Sequence, residues 1–227
     1  FYTKIYDHDG NLLLENNSPG ERVMKESTAW LLTSAMEDVM TSTTGKRANF
    51  TSPEIKIAGK SGTTTGGKDY WFVGYTPSLT AGIWAGYDDN SKQNSGSYHK
   101  DIWKAIMAKL SKKAKEKTFH KPSSIVKASI CSKCGKLAID GICNNAEGGS
   151  TVKEEYFDKE TVPTQNCDCH VKVRICTVSG LLASDNCPAD KVKTKIYLQK
   201  KETSETTDTP LIIPNSLNEA NICYLHN

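Results

Sequence analysis

Three closely spaced runs between Ile57 and Asp89 constrain this chain more than any other feature. They are Ile57-Ala-Gly-Lys-Ser-Gly-Thr-Thr-Thr65, Tyr70-Trp-Phe-Val-Gly-Tyr-Thr-Pro77 and Leu79-Thr-Ala-Gly-Ile-Trp-Ala-Gly-Tyr-Asp-Asp89. Each is rich in aromatic or β-branched residues and bounded by Gly, Pro or Asp, so they read as two or three strands from the middle of a sheet. The first run carries Lys60-Ser61-Gly62-Thr63, with a lysine, two hydroxyls, a glycine and no acidic residue. Strand alternation sends Lys60 and Gly62 to one face and Ser61 and Thr63 to the other. Gly62 has no Cβ, so a ligand or another chain can approach its backbone closely. A cation, hydroxyls and an accessible N–H suit a bound carboxylate or a developing oxyanion. Taken alone, the tetrapeptide would read as a strand-end lysine and a polar turn; its flanks give it meaning.

Those flanks, Trp-Phe-Val-Gly-Tyr-Thr-Pro and Trp-Ala-Gly-Tyr-Asp-Asp, resemble the transpeptidase domain of class A penicillin-binding proteins over roughly residues 2–110. The third motif of the penicillin-recognising serine enzymes is Lys-Thr-Gly, and Ser61 here keeps the hydroxyl of its Thr. The resemblance implies an α/β fold, an antiparallel sheet with helices on both faces. It also implies D,D-transpeptidation, in which an acyl-serine intermediate cross-links peptidoglycan stem peptides and β-lactams acylate the same serine. Lys60 would hold a positive potential over the substrate carboxylate. Ser61 and the Thr63 hydroxyl would bind that carboxylate, Gly62 would keep the wall low, and Thr64 would stand at its end. The Thr63 N–H would form one arm of an oxyanion hole. Lys60 and Thr63 are thus the expected catalytic residues, and Ser61, Gly62, Thr63 and Thr64 the expected substrate contacts. Trp71 reads as core beneath the cleft.

The family's Ser-x-x-Lys and Ser-x-Asn motifs precede Lys-Thr-Gly and are expected on an upstream part of the same polypeptide, leaving this fragment inactive alone. Ser97-Tyr-His-Lys100, Ser124-Ile-Val-Lys127, Ser150-Thr-Val-Lys153 and Ser184-Asp185-Asn186 fit the patterns but all follow Lys60, so they read as chance matches. By the same resemblance the location is the extracellular face of a bacterial membrane, in the cell wall, with stem peptides and β-lactams as partners and no cofactor. Two rival readings exist. A serine β-lactamase-like hydrolase shares Lys-Ser-Gly-Thr but gives no reason for a long cysteine-rich tail. A non-catalytic zinc or disulfide module on a degenerate scaffold is the other.

Composition sets outer limits. With 29 basic and 26 acidic residues the net charge is +3, too balanced to argue for nucleic acid. No apolar run reaches the roughly 18 residues of a membrane span. The chain starts on a strand-like stretch, Phe1 to Tyr6, and reads as part of something longer. Residues 2–6 and 11–15 read as a hairpin across Asp7-His8-Asp9-Gly10. Ser27 is the expected N-cap of a helix to about Met40, with Trp30, Leu31, Ala35, Met36 and Val39 on one face. Asp101 is the expected cap of a helix to about Lys117, with Ile102, Trp103, Ile106, Met107 and Leu110 turned to the sheet. His8, His99 and His120 read as loop residues without a role. Pro122 marks a boundary between a transpeptidase part, 1–122, and a cysteine-rich, β- and loop-rich extension, 123–227.

The extension contains an internal repeat. Ile130-Cys-Ser-Lys-Cys-Gly-Lys-Leu-Ala-Ile-Asp-Gly-Ile-Cys143 aligns with Ile175-Cys-Thr-Val-Ser-Gly-Leu-Leu-Ala-Ser-Asp-Asn-Cys187 after one gap. The spacing suits loops closed by Cys131–Cys143 and Cys176–Cys187 disulfides, each worth roughly 3 kcal/mol to a segment with little core. Cys134, Cys167, Cys169 and Cys223 remain, with three possible pairings; Cys167–Cys223 with Cys134–Cys169 is the first choice. Zinc held by Cys131, Cys134, Cys169 and His170 is the minority alternative, since Cys131-x-x-Cys134 has a zinc-knuckle spacing. Cys167 and Cys223 each precede a histidine by three residues, His170 and His226. Lys201 to Thr209 reads as a polar linker.

Overall fold

The computed structural model describes residues 2–18, 20–42, 44–50, 54–94, 96–199, 213–214, 216–217 and 220–226. The expected linker at Lys201 to Thr209 lies outside them. The chain divides into two compact units, Phe1–Pro122 and Ser123–Asn227.

The first unit opens with a hairpin of β1 (Lys4–Tyr6) and β2 (Leu12–Glu15). Its turn is closed by the Asp7 carboxylate, which accepts from the Asp9 and Asn11 backbone N–H groups at 3.0 and 2.8 Å. Helix α1 (Glu26–Thr41) follows. Lys25, not Ser27, holds its N-cap position, and Ser27 is buried in the first turn. A capping preference of about 1 kcal/mol is easily overridden by such burial. Met40, rather than the exposed Ala35, is the residue α1 buries most deeply.

Strands β3 (Ala58–Thr63), β4 (Tyr70–Tyr75) and β5 (Thr80–Ala85) form an antiparallel sheet in the order β3-β4-β5. Among the described residues β3 is therefore an edge strand, not a central one. The register pairs Lys60 with Val73, Ser61 with Phe72, Gly62 with Trp71 and Thr63 with Tyr70. Cross-strand partners share a face, so Phe72 sets the core side of the sheet. It is fully buried, with Trp103 edge-on at 5.0 Å between ring centroids. Met40, Ala48, Phe50, Ile57 and Met107 complete that core. Gly74 makes the packing possible, because a Cβ there would sit 2.6 Å from the Trp103 ring.

Trp103 and Met107 come from α2 (Tyr98–Leu110). This helix starts three residues before the expected Asp101 cap and gives way to a 3₁₀ turn at Ser111–Lys113. Its buried stripe is narrow: His99, Trp103 and Met107, spaced by four, while Ile102, Ile106 and Leu110 are exposed. His99 is consequently a buried helix residue, not a loop residue.

The second unit consists of two antiparallel hairpins, β6 (Ile125–Cys131) with β7 (Val152–Asp158), and β8 (His170–Cys176) with β9 (Val192–Leu198). They are joined by Glu147 N–H to Ile196 O at 2.7 Å and a Lys195–Glu147 ion pair at 3.1 Å.

Candidate active site

The site is built from the far end of β3. The Thr64 N–H donates to Asp69 O at 3.1 Å, so residues 64 and 69 form a bonded pair of the antiparallel ladder. Bonded pairs alternate along such a ladder. Lys60 and Gly62 therefore direct their backbone groups to β4, whereas Ser61 and Thr63 direct theirs to the open edge. The Thr63 N–H is thus available to a ligand on that edge.

The side chains alternate as well. Lys60, Gly62, Trp71, Val73 and Trp84 share the outer face, and Trp71, Val73 and Trp84 are about half exposed. Trp71 is accordingly not core beneath the cleft but part of an open surface beside Gly62. A Cβ on Gly62 would come within 3.3 Å of Trp71 Cβ. Ser61 and Thr63 project toward the side of Phe72 and Tyr70. The Lys60 ammonium is exposed and donates to Ser61 O at 2.9 Å.

Thr64 has a different task. Its hydroxyl donates to Asp69 Oδ2 at 3.0 Å and accepts from Asp69 N–H at 2.8 Å. Trp84 Nε1 donates to Asp69 Oδ1 at 3.1 Å. Gln93 braces the same turn: its buried amide donates to Lys68 O and Ala85 O, both at 2.7 Å, and accepts from the Tyr98 hydroxyl at 2.6 Å. Nothing in the residue types at 88–99 signalled this brace, because its partners are backbone carbonyls brought close only by folding.

The electrostatics add two cations that motif spacing missed. Lys100 donates to Thr44 O at 2.8 Å, and its pKa is pushed down by burial, then by the charges of Arg47 and Lys60. Arg47 makes a two-pronged pair with Asp101, Nε to Oδ1 at 2.8 Å and Nη2 to Oδ2 at 2.6 Å. Lys60 therefore stands in a positive neighbourhood. The signal was present in Ser97-x-x-Lys100, which does open a helix, Ser97 being the N-cap of α2. A cleft of about 680 Å³ lies elsewhere, between Gly20–Thr33 and Phe119–Pro122, and contains none of these residues.

In the second unit no disulfide joins any of the eight cysteines, so the structure draws none of the expected pairs. Cys131 and Cys143 fall together with Cys167 and His170, and Cys176 and Cys187 with Cys223 and His226. Cys134 and Cys169 meet Cys131 and Cys167 in a second, overlapping group. Cys167 and Cys223, the first-choice disulfide partners, thus stand in different clusters. The minority zinc set of Cys131, Cys134, Cys169 and His170 is divided between the two overlapping groups.

Comparison with known proteins matches both units. The penicillin-binding protein transpeptidase domain matches residues 1–108. The C-terminal domain of penicillin-binding protein 1A matches twice, at 121–172 and 171–210. Penicillin-binding protein 1A of Clostridium botulinum (strain Langeland) is 33% identical over 224 residues, 96% of this chain and 27% of that protein. Penicillin-binding protein 2D of Bacillus subtilis is 32% identical over 178 residues, 74% of this chain and 24% of that protein. The crystal structure of penicillin-binding protein 1A from Haemophilus influenzae shares the fold, with a TM-score of 0.54 at 22% identity, over 73% of this chain and 29% of that one. The chain thus spans about a quarter of the length of the curated relatives it matches. With transpeptidase sequence in its first unit and penicillin-binding protein 1A sequence in its second, the chain belongs to the class A penicillin-binding proteins.

Proposed function

We propose that residues 60–63 form one wall of a serine acyl-transfer site that performs D,D-transpeptidation of peptidoglycan stem peptides. The observation that carries this reading is the Thr63 N–H on the open edge of β3, beside the Lys60 ammonium. A serine from a Ser-x-x-Lys motif outside these residues attacks the penultimate D-Ala carbonyl. The developing oxyanion sits between the Thr63 N–H and the nucleophile's own N–H. The terminal D-Ala leaves with the serine's proton, and an acceptor amine then displaces the serine to form the cross-link. Lys60, with Lys100 and Arg47 behind it, supplies positive potential for the substrate carboxylate, and Ser61 and the Thr63 hydroxyl hydrogen-bond it. Thr64 acts indirectly, by holding the turn that fixes Thr63. The setting is the outer face of a bacterial membrane. Among the described residues no helix is long and apolar enough to cross a membrane.

The test is acylation by a fluorescent penicillin, on the chain alone and joined to the polypeptide that carries Ser-x-x-Lys. Label confined to the joined sample, on that upstream serine, is the expected result. Lys60→Ala in the joined protein should slow acylation by about 10²-fold, the loss typical of one preorganised electrostatic contact. Label on the chain alone would overturn the assignment of the nucleophile. Lack of label in the joined protein would favour a degenerate, non-catalytic scaffold.

A further inference from the structure

The second unit repeats its backbone bridges and turns in two copies. Cys131 and Cys176 are the last residues of β6 and β8. Each is followed by a turn through a left-handed glycine, Gly135 at φ 73° and Gly180 at φ 72°, whose N–H returns to the cysteine carbonyl at 2.8 Å. Leu137 and Leu182 then bridge back to Ile130 and Ile175, and the chain runs on to Cys143 and Cys187. Later segments lie parallel to the same leucines: Asn166 beside Leu137, and Ile222 beside Leu182. The next residue donates to that leucine carbonyl in both copies, Cys167 at 2.8 Å and Cys223 at 2.7 Å. Three residues on stand His170 and His226. The repeat therefore includes a Cys-x-x-His that closes each unit from a distance in sequence.

From this arrangement we infer that each repeat holds one thiophilic divalent cation of the zinc class, bound by Cys131, Cys143, Cys167 and His170 in the first and by Cys176, Cys187, Cys223 and His226 in the second. In each set the four donor atoms all lie within 4.8 Å of one another. The distances from Nδ1 to sulfur are 3.7, 3.7 and 3.2 Å at His170, and 3.6, 3.4 and 3.4 Å at His226. Tetrahedral zinc, with bonds of about 2.3 Å to sulfur and about 2.0 Å to nitrogen, sets its ligands on edges of roughly 3.5–3.8 Å. Donor spacings near that edge length surround a common centre, whereas a disulfide would bring two sulfurs to about 2.0 Å. An imidazole nitrogen among three sulfurs gains nothing from disulfide formation but completes a tetrahedron.

The surroundings fit the same assignment. Cys131, Cys143 and Cys176 are fully buried, and Cys167, Cys187, Cys223 and His170 nearly so. His170 Nε2 lies 3.4 Å from the Thr151 hydroxyl, which itself donates to Cys143 O at 3.0 Å. A hydrogen on Nε2 leaves Nδ1 free to ligate, and a hydrogen bond from the second ring nitrogen orients a metal-bound histidine. The Ile139 N–H donates to the Cys143 sulfur at 3.3 Å, a donor that neutralises part of a bound thiolate's charge. Binding releases the three thiol protons of each set to solvent and changes no oxidation state. Cys134 and Cys169 stand outside this logic together: the second repeat has Ser179 and Leu225 in their places.

The experiment measures metal per intact chain, purified without chelator and then titrated with zinc, by elemental analysis and native mass spectrometry. Two ions per chain are expected, with cobalt substitution giving the absorption of tetrahedral thiolate centres. His226→Ala should lower the count from two to one, and His226→Cys should restore two, which a merely misfolded variant would not do. Cys134→Ser combined with Cys169→Ser should leave both ions in place; loss of an ion there overturns the first set. A metal-free chain whose mass is lower by two hydrogens per cysteine pair overturns the proposal in favour of disulfides.

Discussion

At the scale of single residues, small side chains decide where the large ones go. Gly74 faces the Trp103 ring so closely that Gly74→Ala must displace it, at a cost of about 1–3 kcal/mol for overpacking. Gly82 is the control: a Cβ there would meet Val73 Cγ2 at an ordinary 3.6 Å, so Gly82→Ala should change stability far less. Denaturant unfolding followed by tryptophan fluorescence separates the two. His99 gives a pH signature. It is stacked on Tyr70 at 5.6 Å and edge-on to Tyr98 at 6.3 Å, and burial, then Lys100, push its pKa below the ordinary 6.5. The unfolded chain takes up a proton near that value and the folded chain resists it. Stability is therefore undiminished above about pH 6.5 and falls as pH drops through that value, levelling below the folded pKa. His99→Phe should flatten this slope between about pH 7.5 and about pH 5.5. None of this was legible in the residue types, since a histidine after a Gly- and Ser-rich stretch carries no mark of burial.

At the scale of elements, the β3–β4 turn is the part that positions the proposed acyl-transfer wall. Its Thr64–Asp69–Trp84 bonds and the Gln93 brace link three strands and the start of α2. Gln93→Ala would remove the side-chain donor to the buried Ala85 carbonyl and the half-buried Lys68 carbonyl, a loss of about 1–3 kcal/mol. Slower penicillin acylation in the joined protein, with Lys60 and Thr63 unchanged in identity, is the expected functional effect. Wild-type acylation in that variant would show that the wall keeps its shape without the brace. The strands themselves were plain from their aromatic and β-branched runs between turn residues, whereas their register and the edge position of β3 came only with the fold. The helix starts were not. Ser27 and Asp101 both looked like caps, yet burial of Ser27 and of the His99–Trp103–Met107 stripe drew each helix further toward its N-terminus.

At the scale of the whole molecule, the two units draw their stability from different sources. The first has a tryptophan-centred core, while the buried clusters of the second are built on cysteines and a small group around Val173, Tyr197 and Leu217. All 4 tryptophans (Trp30, Trp71, Trp84 and Trp103) lie in the first unit, so their fluorescence reports on it alone. If metal holds the second unit, a chelator should abolish its β-sheet circular dichroism while the tryptophan transition stays in place. Unchanged dichroism after complete metal removal would show that the hairpins stand without it. The sequence by itself determined the family, the three strands, the Lys60-Ser61-Gly62-Thr63 motif on the first of them and the existence of a repeat, because strand alternation, turn residues and motif spacing are local properties. Only the tertiary structure decided that the Thr63 N–H faces an open edge, that Trp71 lies outside the core, and that Cys167 and His170 join one cluster while Cys223 and His226 join the other. The first two depend on how β3, β4 and β5 pair and which face the helices cover, and the third on which distant segments pair alongside Leu137 and Leu182; such pairing is set by hydrogen bonds and burial between residues apart in the chain.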